Sequence, residues 1–166
     1  MRKKILFICG SLNQTTMMHQ ISLHLKGYDH YFTPYYTDGF VNYLVSLGYI
    51  KFSILNGQFR LKTEEYLRRH DLQMDYRGVS DEYDLIYTCA DLIMPKNTRN
   101  KKVILVQEGM TDPETIMFYL VKYLGLPRWL ASTSTMGISN LFTVFCVASN
   151  GYKEFFIRKG TKKEKI

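Results

Sequence analysis

A layered α/β domain, Rossmann-like with helices on both faces of a mostly parallel sheet, is what three observations predict. Apolar runs of strand length end in Gly or in polar turns, runs with helical spacing follow them, and the two kinds alternate along the chain. The chain has 166 residues, a single domain's length, and 46% of them are hydrophobic, enough to bury a core.

Lys4 to Gly10 is continuously apolar and ends in Gly, as a strand buried on both faces reads. A polar turn from Ser11 to Thr16 follows. Met17, Ile21 and Leu25 then recur at helical spacing, and Gly27 closes the helix. Asp29 to Tyr36 alternates and predicts a second strand, with Pro34 limiting how far it runs. Phe40 to Leu47 fits a helix stopped by Gly48. Lys62 to Asp71 fits a largely solvated one, on which Glu64, Glu65, Arg68 and Arg69 can pair.

In the second half, Tyr83 to Cys89 and Lys102 to Gln107 are strands joined by a turn-rich Asp91 to Asn100. Pro113, with Thr111 or Asp112 as cap, begins a helix through Ile116, Met117, Leu120, Val121 and Leu124 that ends at Gly125. Thr143 to Ser149 is a further buried strand. Gly151 to Lys159 is the last helix, with Gly160 beyond its end.

Composition closes off several classes of function. Aromatic residues make up 14% and charged residues 22%, which excludes disorder, collagen and coiled coil. No apolar run approaches the roughly 20 residues of a membrane span, and Ile5 to Gly10 is shorter than the roughly 7–15 residues of a signal core. A cytoplasmic protein is expected. Cys9, Cys89 and Cys146 lie in or at the end of apolar runs without CxxC spacing, so they read as buried, reduced thiols.

The net charge is +7, and residues 151–166 hold six of the Lys and Arg against two Glu, or +4. That segment reads as a solvated helix face, and no nucleic acid is expected as a partner. Four scattered histidines, His19, His24, His30 and His70, lack ligand spacing, so no metal is expected. The aromatics from Tyr28 to Phe52 serve either as packing or as rings that meet a lipid surface or a sugar.

Ligands of parallel α/β sheets sit beyond the carboxyl ends of the strands. Candidate functional residues therefore follow Cys9, Cys89 and Gln107 and lie near Ser149. The loop from Gly10 to Thr16 offers hydroxyls and amides ahead of a helix N-terminus, suited to an anion or a sugar oxygen. It lacks both GxGxxG and GxxxxGK[ST], and an ordinary turn capped by Asn13 or Thr15 stays open as the alternative. Glu108, with Gly109 beside it, is either a general base above the sheet or a turn cap.

Several segments together carry a family resemblance: Tyr83-Asp84-Leu85-Ile86-Tyr87-Thr88 with Pro95, Lys102-Val103-Ile104-Leu105-Val106-Gln107-Glu108-Gly109, Leu126-Pro127, Met136-Gly137-Ile138-Ser139, and Cys146 to Gly160 running on to Ile166. This layout resembles the N-terminal domain of GT-B-fold glycosyltransferases, near the CDP-glycerol glycerophosphotransferase and UDP-N-acetylglucosamine 2-epimerase group. It covers residues 83–166 well, the first strand and loop loosely, and residues 28–80 hardly at all.

The resemblance implies that residues 1–166 form one Rossmann-like domain, the acceptor-side half of a two-domain enzyme of cell-surface polysaccharide or glycoconjugate synthesis. The nucleotide-sugar half would lie beyond Ile166, and this half alone would be inactive. A sugar or polyol acceptor is the implied partner, lined by Gly10, Ser11, Asn13, Gly109 and Thr111, with Glu108 as catalytic base and no cofactor. Where many members have His, this chain has Glu108, so the role transfers to the position and not to the residue type. Peripheral contact with the inner membrane face belongs to the same expectation. The alternatives are a 2-epimerase-like domain and a small flavodoxin-like protein whose residues 9–16 cradle an FMN phosphate.

Overall fold

In the computed structural model, residues 2–34, Tyr43, Leu47, 58–98 and 100–166 are described. The central strand β1 (Lys4–Ile8) is buried on both faces because its side chains alternate between two cores. Leu6 and Ile8 face one and Ile5 and Phe7 the other, which is why this strand reads as unbroken apolar sequence.

Five parallel strands form the sheet in the order β2-β1-β3-β4-β5, where β2 is Asp29–Thr33, β3 Leu85–Thr88, β4 Lys102–Val106 and β5 Val144–Cys146. The register pairs Ile8 with both Thr33 and Thr88, and Thr88 with Leu105. The carboxyl ends of four strands therefore finish along one edge. The strand order reverses at β1, and the crevice beside it is where such sheets hold ligands.

Helices α1 (Leu12–Leu23) and α2 (Gln58–Arg69) cover the Phe7 face through Met18, Ile21, Tyr66 and Leu67. Helix α4 (Asn150–Lys159) covers the Leu6 face through Tyr152, Phe155 and Phe156. Helix α3 (Ile116–Leu124) buries Phe118 and Val121. The layered α/β fold expected from the sequence is the fold observed.

Five local expectations are corrected. First, α1 begins at Leu12, so Ser11 to Thr16 is not a loop. Ser11 accepts the Gln14 N–H and Gln14 Oε1 accepts the Ser11 N–H, a reciprocal capping box that makes Ser11, not Asn13 or Thr15, the cap. Second, α3 begins at Ile116 with Thr115 as N-cap, outside Pro113. The reason is that Thr133 Oγ1 accepts the Asp112 N–H at 3.0 Å, which holds this stretch against the Arg128–Thr135 turns.

Third, β5 has three residues and alternates, with Val144 and Cys146 exposed and Phe145 buried. It is one of the two edge strands, and the face that carries Val144 and Cys146 is left uncovered, so Cys146 is not the buried thiol expected. Fourth, the basic terminal segment is not uniformly solvated, because Lys159 is 2% exposed.

Fifth, helix α2 starts four residues earlier than expected and is not merely solvated. Its Glu64 is buried and takes both Arg60 (2.7 Å) and Arg68 (3.3 Å), one turn on either side. The helix expected over residues 40–47 lies outside the described residues apart from Tyr43 and Leu47, as do Tyr35, Tyr36, Tyr49 and Phe52 of the aromatic quarter.

Candidate functional site

The half-buried Glu108, just past the end of β4, reaches the start of α1 beyond β1, although β3 lies between the two strands. Its Oε1 accepts a hydrogen bond from Ser11 Oγ at 3.2 Å, and its Oε2 accepts one from Gln14 Nε2 at 2.6 Å. Both donors belong to the capping box of α1, so the carboxylate sits at the positive end of that helix. Among the described hydrogen bonds none joins Glu108 to the turn that follows it.

The surroundings hold this group in place. Thr15 Oγ1 donates to the Ser11 carbonyl at 2.8 Å, and Thr63 Oγ1, from α2, donates to the Gly10 carbonyl at 3.1 Å. Both threonines are fully buried. On the other side, Gln107 Nε2 donates to the Gly109 carbonyl at 2.8 Å, while its Oε1 accepts the Ala148 N–H at 3.0 Å. The residues either side of Glu108 are thereby fixed by one buried amide. Close by lies Cys89, whose thiol is pushed up to about 12 by burial and, secondarily, by the Glu108 charge. It stays protonated, and burial keeps the Cys9 thiol protonated too.

Of the residues singled out from sequence, Ser11 and Glu108 are in direct contact, with Gly10 and Gly109 as their chain neighbours. Gly109 is exposed, and a Cβ there would meet nothing within 4 Å, so its place is not explained by crowding. Asn13 lies exposed on the first turn of α1, where its carbonyl accepts from Thr16 Oγ1. Thr111 is half-buried at the start of the loop leading to α3. No contact joins either of these two to Glu108 among the described hydrogen bonds.

In its comparisons with known proteins the chain matches no family model, no curated protein and no solved structure.

Three groups escaped the sequence reading. Gln14 is the nearer donor to Glu108, and the Ser-x-x-Gln spacing signals its pairing with Ser11 but not this contact. Asp91, 1% exposed after β3, accepts the N–H groups of Gly137 (2.9 Å) and Ser139 (3.2 Å) and so ties the loop before β5 to the sheet edge. Asp75 is likewise buried and accepts from Ser80 and from the Tyr83 hydroxyl, which burial and that carboxylate hold above its ordinary pKa.

Among the described residues no three His, Cys, Asp or Glu side chains converge as a metal-binding group. His19 is instead paired with the Tyr66 hydroxyl at 3.0 Å, and burial lowers its pKa. Nor, among the described residues, is any helix long and apolar enough to cross a membrane.

The arrangement offers a carboxylate with spare lone pairs and a serine hydroxyl, held by hydrogen bonds beyond the strand ends. Because an internal carboxylate already occupies the helix N-terminus, a phosphate placed there would meet like charge. A neutral hydroxyl-bearing ligand fits better, since it can donate its proton to Glu108.

Proposed function

We propose that this domain is the acceptor-binding part of a glycosyltransferase-like enzyme, with Glu108 as the general base toward a sugar or polyol hydroxyl. One observation carries the reading: the Glu108 carboxylate is fixed above the strand ends by Ser11 and Gln14. The resemblance of residues 83–166 to GT-B N-terminal domains supplies the reaction class.

In this reading the acceptor O–H transfers its proton to Glu108 as its oxygen attacks the donor sugar's anomeric carbon. The bond from that carbon to the nucleotide diphosphate breaks, and the diphosphate leaves with the electron pair. A second domain, of the kind these transferases carry, holds the nucleotide. Ser11 and Gln14 orient the carboxylate, and Gly109 leaves the approach open. A 2-epimerase-like activity shares the same frame and would need no acceptor.

Peripheral membrane contact belongs to this proposal, and α3 supports it through its exposed Ile116, Tyr123 and Leu124, with Met110 also exposed. Tyr28, the exposed described member of the aromatic quarter next to β2, adds less.

The strand order favours a second reading, because 2-1-3-4-5 is also the order of flavodoxin-like proteins, which bind FMN at this switch point. Against it stands Glu108, lodged where the FMN phosphate would lie.

The test uses the full-length protein with UDP- and CDP-linked donors and a panel of sugar and polyol acceptors. Glu108→Gln is expected to lower turnover at least tenfold with the acceptor KM little changed. Unchanged turnover would remove the base role, and purified protein carrying flavin absorbance would favour the second reading.

A further inference from the structure

Lys159 is the only Lys or Arg among the described residues that is buried, at 2% exposed, and its Nζ has no hydrogen-bond partner among them. Three rings surround it, with Phe155, Phe118 and Phe156 centroids at 5.0, 5.5 and 5.5 Å. Rings soften the loss of water but accept no hydrogen bond from an ammonium with three donors. The carboxylates near enough to act on its charge are engaged elsewhere: Asp91 with two backbone N–H groups, Glu114 with the Tyr119 hydroxyl, and Asp112 with Ser132 and Thr133. Burial lowers the Lys159 pKa, and the nearby Lys122 adds repulsion.

Lys122 stands over the same Phe118 ring at 5.6 Å. Its head lies against Gly160, where a Cβ would come within 3.9 Å of Nζ. Lys122, Lys159 and Gly160, with Arg128, line one pocket of about 320 Å³ between the end of α3 and the end of α4. Two ammonium groups that share a ring and repel each other are brought together only at a cost, and a bound anion removes it.

We propose that this pocket binds the phosphate group of a small phosphorylated molecule, with Lys159 and Lys122 as its charged partners. Lys159 supplies unspent donors in the covered wall of an otherwise open pocket, and an anion there would gain charge-assisted hydrogen bonds from it. The volume is at the lower end of the roughly 300–1,000 Å³ range of small-molecule sites, which suits a compact phosphate ester. The proposal stands apart from the role given to Glu108.

The experiment is titration of the full chain with orthophosphate and pyrophosphate at constant ionic strength, followed by calorimetry and thermal unfolding. Saturable binding at about 1 mM or tighter is expected, with a matching rise in Tm. Lys159→Met keeps the stem against the rings and is expected to weaken binding at least tenfold. Lys122→Gln lies on an exposed position, so it serves as the readout if the first variant does not fold, and a fall of several-fold is expected. Absence of saturable binding to the wild-type chain, or wild-type affinity in either folded variant, overturns the proposal.

Discussion

Gln14 and Glu108, 94 residues apart, meet through a 2.6 Å hydrogen bond that joins the first turn of α1 to the end of β4. Ser11 binds the other carboxylate oxygen, so one side chain ties the chain after β4 to the start of α1 through both of its oxygens. This contact makes the candidate site part of the fold's own stability.

Ser11→Ala therefore removes two things at once, the cap of α1 and a donor to Glu108. A lost N-cap costs about 1 kcal/mol and a hydrogen bond to a charged group about 1.5 kcal/mol. A loss of about 2 kcal/mol is expected by urea denaturation. Glu108→Gln keeps the shape but loses the charge and turns one of the two accepting oxygens into a donor, and should cost about 1–2 kcal/mol.

Gly137 stands at φ +81°, and a Cβ there would come within 2.8 Å of the Phe145 ring and 3.1 Å of Thr161 Oγ1. Gly27 has a similar φ of +90° with nothing within 4 Å. Left-handed strain costs about 1 kcal/mol, and overpacking adds about 1–3 kcal/mol. Gly137→Ala should lose about 2–4 kcal/mol and Gly27→Ala about 1 kcal/mol, a difference that paired denaturation curves measure directly.

Native thiol chemistry should pick out one cysteine of three. Cys146 is exposed on β5, whereas burial holds Cys9 and Cys89 protonated as well as covered. Ellman's reagent is expected to titrate one thiol in the folded protein and three after unfolding, and Cys146→Ser should abolish the native reaction. A second rapidly reacting thiol would show that the β1 or β3 end opens.

The layer order was legible because β1, β3 and β4 carry apolar runs, the pattern expected of strands covered on both faces. β5 misled because Phe145 and its neighbours are apolar while only Phe145 is buried. An edge position is set by how many strands the sheet holds, which local sequence does not encode. The start of α3 was displaced by Asp112 and Thr133, a pairing across 21 residues. In the candidate site, Glu108 was visible as a carboxylate at a strand end, and Ser11 as a hydroxyl at another. Their contact was not, since it depends on β3 separating β1 from β4. Lys159 was the least visible: a helix-end lysine in a basic run reads as solvated until Phe118, 41 positions earlier, folds over it.

Lys159 also gives stability a pH signature whose sign is fixed. Its folded pKa is below the ordinary value of 10.5, first because of burial and against the pull of Glu114, Asp91 and Asp112. Between the folded pKa and 10.5 the unfolded chain binds the extra proton, so in this window the Lys159 contribution to stability rises with pH. Below the folded pKa both states are charged, and the native state bears the full penalty of an ammonium held away from water. In phosphate-free buffer Lys159→Met should therefore be more stable than the wild type at neutral pH. Its advantage should shrink as the pH is raised toward 10.5, where the wild-type lysine sheds its charge on folding. Subtracting the two urea-denaturation profiles cancels the titrating groups that do not interact with Lys159. A difference that is flat across this range would mean the ammonium is not kept from water at all.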